Sequence, residues 1–533
     1  MAGIQVVASY EIWKPANLTN SANLGHTPVC ADIRHLRFRD LPKNIDLVVG
    51  SPPCTEFSFS NRGGNGDIED GLRDIIKFLR IVEQIQPRAW AMENVPRAAM
   101  IVERELLPGG RLRRFAHLGI GSKVYNMEEF GLPQRRKRSL IGNLDFELLS
   151  SYSEHLPRRT LGQVIRSLAQ KEPRDPIYNI RVRREDLCDH SVKDFLDDEE
   201  IRINRSNKML HPVYNTMSFP DRYDRSVRTI TATCTRVSRE SVVIEDPTTA
   251  GSYRRLTVRE RACLQGFPIT YQFFGGTYAQ KAKMVGNAMP PLFAFYTGQA
   301  LRGIRVSQLL DPVVRVSLLP RPSATAAEGK PDRRTRTYRK DRRFRFAIPS
   351  LRLKSGVRFE LTNKPLSDNT YWGVDFYFGT SKSIRSVPLK GDLASLLLSK
   401  AAPTIRDQIR AILGGVADLF VRYDVKHMQD VWCHRGPGAA RPFMLLDALD
   451  EVGVQLKSAV SSQPEACEHG IKLALRMSGL DQKQVGTEKL LRNSVLVYAG
   501  LLLGSAVNGQ TGWLPQNPRS KIGLAHLPQA ART

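Results

Sequence analysis

A cysteine on a stiff turn is the residue of this sequence best placed to do chemistry. Cys54 follows an apolar run at 45–49 and a Gly-Ser-Pro-Pro turn at 50–53. Glycine and proline end a buried strand, and the two prolines fix the backbone before the cysteine. Open α/β sheets carry their sites at the carboxyl ends of strands, so Cys54 is a candidate nucleophile. The alternative for a cysteine taken alone is a structural thiol, because free cysteines are often buried.

An acid and two arginines follow at positions where they could act with such a thiol. The apolar residues 89–92 predict a strand that ends at Glu93. A carboxylate on a strand beside that of Cys54 is a candidate acid partner for the nucleophile. Arg136 and Arg138 come later. Either they lie on a basic surface turn, or their guanidinium groups bind a phosphate or a developing oxyanion.

These side chains need a sheet that brings several strand ends together. Short apolar runs at 4–9, 29–33 and 45–49 alternate with helical patterns, the clearest of which is an amphipathic helix over 72–85. This alternation predicts an α/β fold with a parallel, doubly wound sheet.

Two acids, Glu11 and Asp32, lie at the ends of the first two predicted strands. In sheets of this kind, acids at strand ends bind ribose hydroxyls and adenine amino groups of nucleoside cofactors. Either acid taken alone is better explained as a helix cap or a turn residue. The glycine-rich residues 61–70 predict a polar loop just after the cysteine.

The composition restricts the class of protein. With 533 residues, two or three domains are expected. Lysine and arginine number 79 against 53 aspartates and glutamates, giving a net charge of +26, which suits a polyanion such as nucleic acid or simply a solvated basic surface. The seven cysteines form no CxxC pair, so we expect no disulfide framework, no metal site and a reducing cytoplasm. The most apolar run, at 494–507, is too short for a membrane span and predicts a buried helix.

The motifs together resemble the C5-cytosine DNA methyltransferase family. Their order and family-like spacing make the match specific, and it covers roughly residues 1–305. The segments that carry it are Pro52-Pro53-Cys54, Glu93-Asn94-Val95, Gln134-x-Arg136-x-Arg138, Arg228-Thr229-Ile230-Thr231, Leu256-Thr257-x-Arg259-Glu260 with Leu264-Gln265-Gly266-Phe267-Pro268, and Gly286-Asn287-Ala288-Met289-Pro290.

The resemblance implies a Rossmann-like fold that uses S-adenosylmethionine to methylate C5 of cytosine in double-stranded DNA. Cys54 matches the nucleophile that attacks C6 of a flipped-out cytosine. Glu93 matches the acid that holds N3, Arg138 the arginine at the ring carbonyl, and Arg136 a residue that supports the pocket. Thr257 and Glu260 predict a helix-capping box with a structural role.

The same resemblance assigns cofactor contacts. Glu11 matches the ribose-binding acid and Asp32 the residue at the adenine amino group, while Ile12, Pro52 and Asn287 line the cofactor pocket. The chain departs from the family before Glu11, where no Phe-x-Gly-x-Gly turn is present; roughly two dozen residues, about one strand-plus-helix unit, are missing from the match.

A second departure is Glu56, where the family usually carries glutamine. The resemblance implies that this residue lies near the flipped nucleotide or the displaced partner base.

The match predicts the domain boundaries. We expect a catalytic core at 1–150, a compact target recognition region at 151–227, the rest of the core at 228–305 and a basic linker at 306–343. An accessory α+β or mostly helical domain at 344–515 and a tail at 516–533 follow. Basic residues of the recognition region could contact phosphates, and two histidines there are interpreted as structural or close to DNA: Arg181, Arg183, Arg184, His190, Arg202, Arg205, Lys208 and His211.

The accessory region resembles no family. Short strands over 344–378 precede helical patterns, and Lys354-Ser355-Gly356 predicts a hairpin turn. A fused nuclease is not indicated, since Glu360-Leu361-Thr362 lacks the lysine of a nuclease motif. A basic run precedes these strands. It either binds DNA phosphates or forms a solvated linker, and the sequence favours both alternatives equally. Its residues are Arg333, Arg334, Arg336, Arg339, Lys340, Arg342, Arg343 and Arg345.

The sequence thus predicts a DNA (cytosine-5)-methyltransferase of a bacterial or phage type, located in the cytoplasm, with a cognate restriction endonuclease as a possible partner. Two alternatives stay open. One is a catalytically impaired DNA-binding protein with a decayed methyltransferase fold, for which the missing cofactor turn is the argument. The other is an RNA cytosine-5 methyltransferase on the same fold.

Overall fold

The structure is a computed structural model that describes most of the chain. The described residues are 1–58, 66–191, 194–209, 217–319, 322, 325–330, 337–353, 356–365, 370–380, 383–399, 401–436, 438, 441–479 and 487–513. Several predicted features lie at least partly outside these residues, namely the first half of the loop at 61–70, the turn residues Lys354 and Ser355, His211, and Arg333, Arg334 and Arg336 of the basic run. The chain divides into two compact units, one of residues 1–204 and 218–332 and one of residues 205–217 and 333–533.

The first unit begins with a small parallel strand pair. Strands β1 (Tyr10–Glu11) and β2 (Val29–Cys30) pair with each other, and helix α1 (Lys14–Leu24) connects them. The strand predicted at 4–9 is wrong, because the paired residues begin only at Tyr10. An apolar run becomes a strand only where a neighbouring strand accepts its backbone hydrogen bonds, and residues 4–7 are exposed.

A four-stranded sheet forms the centre of the first unit. Its strands are β3 (Leu47–Gly50), β4 (Ala89–Asn94), β5 (Gly121–Asn126) and β7 (Lys137–Gly142), in the order β3-β4-β7-β5; the short strand β6 (Gln134–Arg135) lies between β5 and β7 in the chain. Strands β3 and β4 are parallel, but β7 runs antiparallel to both β4 and β5. The predicted parallel sheet is therefore wrong for β7 alone, since the short connection from β5 to β7 turns the chain back, while β5 keeps the direction of β3 and β4.

Helices cover both faces of this sheet, as a doubly wound fold requires. Helices α2 (Ile68–Ile85) and α3 (Pro96–Leu106) pack against Trp90 and Met92 on one face. Helices α4 (Phe146–Tyr152) and α9 (Pro291–Leu301) pack on the opposite face, where Ala91 and Leu140 lie. Alternate residues of β4 thus point to two different cores, which is why the whole strand is buried.

A third core joins the middle of the chain to the sheet. It is built largely from helices α5 (Leu161–Ala169) and α7 (Val258–Leu264), with parts of β8 (Val227–Arg228), β9 (Val243–Glu245) and α8 (Tyr278–Asn287). Strand β10 (Tyr253–Arg255) and residues 198–204 of helix α6 (Asp198–Met209) complete this part; the helix residues from 205 on belong to the second unit. Strand β6 pairs with β8, which ties the third core to the strand that precedes β7.

The predicted capping box at the start of α7 is confirmed. The Thr257 hydroxyl accepts from the Glu260 amide, and the Glu260 carboxylate accepts from the Thr257 amide. Arg254 also binds both oxygens of Glu260, at 2.8 and 2.9 Å, and Asp246 at 2.6 Å. Burial alone would raise the pKa of Glu260, but Arg254 brings it below the ordinary value. The box therefore also anchors a buried ion-pair network.

Residues 325–330, in the predicted linker, make contacts within the first unit. Lys330 forms a bridge with Thr277. The buried Lys281 ammonium donates to the Ala327 carbonyl at 2.7 Å and to Asp189. These contacts anchor this stretch of the chain beside α8.

The second unit has an α+β arrangement. Strands β11 (Arg345–Arg352), β12 (Arg358–Pro365), β13 (Thr370–Thr380) and β14 (Ser383–Val387) form an antiparallel sheet in chain order. The helices are α10 (Leu393–Leu398), α11 (Pro403–Arg422), α12 (Met428–Trp432), α13 (Pro442–Val460), α14 (Pro464–Met477), α15 (Thr487–Leu491) and α16 (Ser494–Thr511). Helix α16 is largely buried, which confirms the helix predicted from the apolar run at 494–507. Among the described residues, no helix has the length and hydropathy to cross a membrane.

Glu360, which the sequence raised as a nuclease residue, lies inside this second sheet. Its carboxylate binds Arg358 at 2.7 Å and also Arg345. Burial alone would raise the pKa of Glu360, but the two arginines bring it down to about 2. The ion pairs with Arg345 and Arg358 give the buried Glu360 carboxylate a structural role in this sheet.

The buried ion pair at α7 gives the first prediction. We expect Glu260→Ala to lower the free energy of unfolding of the first unit by about 3 kcal/mol or more, because it removes one half of the capping box and leaves the buried Arg254 with Asp246 as its remaining acidic partner. Glu154→Ala, at an exposed position, is the control and should stay within about 0.5 kcal/mol of wild type. Thermal and urea unfolding measure both. If both variants unfolded at the same temperature and urea concentration, the stabilising role of the ion-pair network would be contradicted.

Candidate active site

The turn that carries Cys54 is anchored on both sides. The Asn94 side chain, at the end of β4, donates to the Pro52 carbonyl at 3.2 Å. Beyond the cysteine, the Phe57 amide donates to the Cys54 carbonyl at 3.1 Å, and the Phe57 ring is fully buried against α2. The backbone on both sides of Cys54 is thus held in place.

Glu93 lies at the end of the neighbouring strand β4 and is only 5% exposed. One carboxylate oxygen accepts from the Ser51 hydroxyl at 2.6 Å. The other oxygen lies 3.1 Å from Nε of Arg138, on β7. The carboxylate is therefore oriented by a residue of the cysteine turn and by a residue of the next strand.

Arg136 occupies a different position from Arg138, although only one residue separates them. It is 1% exposed, and its guanidinium donates to the carbonyls of Ile230 and Gly286 at 2.9 Å and of Ala288 at 3.3 Å. Burial lowers the pKa of Arg136 to about 9, and the charge of Arg138 adds to this. Arg136 is a positioning residue that joins β6–β7 to two distant segments.

The structure brings Cys54, Glu93, Arg136 and Arg138 within electrostatic reach of one another. Burial is the largest effect on Cys54 and raises the pKa of its thiol. Arg138 and Arg136 lower the pKa, while the negative charge of Glu93 raises it further. The site can therefore form a thiolate, but less readily than a free cysteine.

The predicted cofactor residues lie in two places. Glu11 is the last residue of β1 and Asp32 follows the adjacent strand β2; one oxygen of each carboxylate accepts from a nearby backbone amide, that of Trp13 or Arg34. Ile12 is 61% exposed beside Glu11. Pro52 is buried in the cysteine turn, and Asn287 is exposed at the end of α8. Two carboxylates at neighbouring strand ends are hydrogen-bond acceptors suited to the hydroxyl and amino groups of a nucleoside.

Comparison with known proteins identifies the family of this chain. The profile of the family described as C-5 cytosine-specific DNA methylase matches residues 1–302. This chain belongs to that family. The resemblance predicted from the motifs is thereby confirmed, and the protein is a DNA cytosine-5 methyltransferase by family.

Curated relatives cover about half of the chain. The type II methyltransferase M1.HphI of Haemophilus parahaemolyticus is 29% identical over 290 residues, which are 50% of this chain and 70% of that protein. M.HindV of Haemophilus influenzae is 26% identical over 311 residues, 56% of this chain and 90% of that protein. A crystal structure of a putative DNA modification methyltransferase from an Escherichia coli prophage gives a TM-score of 0.40 at 20% identity, over 57% of this chain and 93% of that one.

Several residues that position the methylase site were missed from the sequence. Ser51 orients Glu93, and the Ser139 hydroxyl donates to the Asn94 carbonyl at 3.1 Å. The Gln134 side chain donates to Gln265 at 2.6 Å and accepts from the Ile230 amide at 2.8 Å. Gln134 belongs to a recognised motif, but its contacts lie far away in the sequence. In the described residues, no group of three or more potential ligands could hold a metal ion.

The charges around the thiol give a prediction about its reactivity. We expect the rate of Cys54 alkylation by iodoacetamide to rise with a midpoint above about pH 8.5, the value for free cysteine. Arg138→Gln should move the midpoint upward, because it removes a charge that favours the thiolate. Glu93→Gln should move it downward, because the nearby negative charge is lost. Peptide-resolved mass spectrometry measures the rate, with the exposed Cys30 as internal reference. Shifts of the opposite sign would contradict the assignment.

A further prediction concerns the close approach of Gly286 to the backbone of Thr231 and Ala232. A Cβ there would lie 2.3 Å from the backbone of Thr231 and Ala232, so Gly286→Ala must push apart two segments that Arg136 holds together. We expect the free energy of unfolding to fall by at least about 2 kcal/mol, seen as a lower melting temperature. Gly276→Ala is the control, since its nearest neighbour is a side-chain atom at 3.8 Å. Equal melting temperatures would refute the packing argument.

Proposed function

We propose that the protein transfers a methyl group from S-adenosylmethionine to C5 of cytosine in double-stranded DNA, through a covalent bond between Cys54 and C6 of the base. The observation that carries the proposal is the ion pair of Glu93 with Arg138, 3.1 Å long, next to the anchored thiol of Cys54. An acid, a cation and a nucleophile at the ends of adjacent strands suit attack on a polarised ring.

Each of the three residues has a task in this proposal. The Cys54 thiolate attacks C6, and electron density moves from the C5–C6 double bond toward C5, which becomes nucleophilic. Glu93 holds N3 and helps to protonate the ring, while Arg138 binds the ring carbonyl and stabilises the charge that develops there. After methylation, C5 loses its proton and Cys54 is eliminated, which restores the double bond. S-adenosylmethionine would supply the electrophilic methyl group.

The arginines explain how a buried thiol can serve here. Burial raises the pKa of Cys54, so only a small fraction is thiolate at neutral pH. A pyrimidine that enters the site displaces water and strengthens the attraction between the thiolate and the two guanidinium groups. Arg136 contributes its charge while its hydrogen bonds go to backbone carbonyls.

DNA is the proposed substrate on charge and on steric grounds. The net charge of +26 favours a polyanion. C6 of a stacked cytosine is inaccessible in a duplex, so the base must be flipped out before Cys54 can reach it. The relatives named above are type II methyltransferases, and we propose that this protein also acts in restriction-modification in the cytoplasm, beside a cognate endonuclease.

For the cofactor, we propose that Glu11 binds the ribose hydroxyls and Asp32 the adenine amino group. Ile12, Pro52 and Asn287 line the same pocket. Each acid accepts from its own backbone through one oxygen. The second oxygen of Asp32 also lies 3.0 Å from Nδ1 of the exposed His35, so in this proposal the adenine amino group takes the place of that histidine.

A mechanism-based substrate tests the proposed function. DNA that contains 5-fluorocytosine cannot lose a proton from C5, so we expect a protein–DNA adduct that survives denaturation when S-adenosylmethionine is present. Cys54→Ser should abolish the adduct, and Glu93→Gln should slow its formation at least tenfold. Denaturing electrophoresis with labelled DNA measures both, and an adduct in Cys54→Ser would overturn the assignment of the nucleophile.

Two rival functions give different results in the same assay. A DNA-binding protein with an inactive site would bind DNA in a salt-sensitive way but form no adduct and transfer no methyl group. An RNA methyltransferase would transfer labelled methyl groups to transfer RNA faster than to DNA.

A further inference from the structure

Part of the basic run lies on the second unit in a fixed conformation. The Tyr338 amide donates to the carbonyl of Cys433, at the end of α12, at 2.7 Å. The Arg342 amide donates to the Arg339 carbonyl at 3.0 Å, which closes a turn over residues 339–342. A solvated linker makes no such backbone contacts. Of the two roles that the sequence allows for this run, the described part fits a surface segment of the folded unit.

Two buried amide side chains support the turn. The Gln429 side chain donates to the carbonyls of Lys340 at 2.8 Å and Arg342 at 3.1 Å. The Asn363 side chain, on β12, donates to the Arg342 carbonyl at 2.9 Å and to the side-chain oxygen of Gln429 at 2.6 Å. Gln429 is 7% exposed and Asn363 is 3% exposed. The turn is therefore attached to α12 and to the sheet through its backbone.

Arg342 holds the turn through its side chain as well. Its guanidinium lies 3.7 Å from the ring centre of Tyr338 and 3.4 Å from that of Trp432, and Nη1 donates to the Trp432 carbonyl at 2.5 Å. A planar guanidinium packs well on aromatic faces, so this arginine has a structural role. The other basic side chains around the turn are exposed, and together they form what we call the basic surface: Arg339, Lys340, Arg343 and Arg435.

The side chains of the basic surface lie on two neighbouring segments. Arg435 reaches the turn from the end of α12, since its Nε donates to the Tyr338 carbonyl at 2.5 Å. Nη1 of Arg343 donates to the Asn363 carbonyl at 3.1 Å. A guanidinium has five N–H donors, so one backbone contact orients each arginine and leaves other donors for a ligand.

The charge of this surface is positive. Asp341 pairs with Arg339 at 3.1 Å, and both side chains are largely exposed, so water and salt screen the pair. Asp430, on α12, is a second exposed acid. The four cations of the basic surface thus exceed the acids beside them, and the surface suits a polyanion.

We propose that the basic surface binds the phosphate backbone of double-stranded DNA without reading its sequence. Lysine and arginine side chains neutralise phosphates and release the counterions that DNA holds. Contacts of this kind hold the duplex but carry no base information. The turn is already ordered, so little conformational entropy is lost when it binds. The second unit is then a DNA-binding unit, whose binding does not depend on catalysis; the choice of DNA over other polyanions rests on the proposed function.

An anionic membrane fits this surface less well. Surfaces that bind membranes combine basic residues with apolar side chains that enter the lipid. Among the described residues at 337–345 and 427–436, no large apolar side chain is exposed. Charge without an apolar neighbour favours a phosphate backbone that stays in water.

Binding of the whole protein to a duplex of about 20 A·T base pairs tests the proposal, because such DNA has no cytosine for the Cys54 site. In the double variant Arg339→Gln/Lys340→Gln, we expect the Kd at about 0.1 M salt to rise at least fivefold. The plot of log K against log salt should become less steep by about 1.8, or about 0.9 for each lost phosphate contact. Fluorescence anisotropy over a salt series measures both.

The controls separate charge from folding. The anchors of residues 339 and 340 are backbone carbonyls, so the double variant should keep the wild-type melting temperature. Lys340→Arg keeps the charge and should bind like wild type. So should Lys390→Gln, because Lys390 is exposed after β14, at the opposite edge of the sheet from β11. Equal Kd and salt slope for the double variant and wild type would overturn the proposal. Weaker binding to phosphatidylserine vesicles with unchanged DNA binding would assign the surface to a membrane instead.

The 5-fluorocytosine adduct distinguishes this inference from the proposed function. Weaker A·T duplex binding by the double variant, with an adduct in the wild type, supports both. The same weakening without any adduct in the wild type would refute the proposed chemistry, while DNA binding by the second unit stands. An adduct in the wild type with unchanged A·T duplex binding by the double variant would refute the basic surface alone.

Discussion

The site depends on one buried guanidinium. Arg136 binds the carbonyls of Ile230, Gly286 and Ala288, which lie 94 to 152 residues away in sequence. A planar fork with several fixed donors can hold three carbonyls at once, whereas a lysine would offer a single flexible charge. The cost is a desolvated cation, visible in its pKa of about 9. These hydrogen bonds keep β7 at a fixed distance from the segments around Ile230 and Gly286.

Arg136 also affects the reactivity of Cys54. Its charge acts on Cys54 together with that of Arg138, and both oppose the effect of burial on the thiol. Glu93 acts in the other direction, but its ion pair with Arg138 limits the negative charge that the thiol meets. A site of this kind balances desolvation against two positive charges and one negative charge, so its reactivity depends on the positions of all four groups.

The cofactor side of the first unit is built differently from the nucleophile side. Cys54, Glu93 and Arg138 lie on the continuous sheet of β3, β4 and β7. Glu11 and Asp32 lie on a separate strand pair, which α1 and the turn after β2 connect to the rest of the unit. Two short strands with exposed apolar neighbours are weakly held by their own pairing.

Much of the site could be predicted because it depends on local patterns. Pro52 and Pro53 predict the turn before Cys54, the apolar residues 89–92 predict a strand that ends at Glu93, and Thr257 with Glu260 predicts a capped helix. Each of these depends on neighbours within a few residues, so periodicity and turn chemistry were enough. The buried helix α16 is of the same kind.

Pairing and long-range contacts could not be predicted from such patterns. An apolar run has the same period of two in a parallel strand, in an antiparallel strand and in a segment that finds no partner, which is why the direction of β7 and the strand at 4–9 were wrong. Arg136 and Arg138 look alike in the sequence, yet one binds distant carbonyls and the other pairs with Glu93. The sequence alone determined which residues could do the chemistry; the tertiary structure decided which of them face one another, because hydrogen-bond partners and burial are set by segments far apart in the chain.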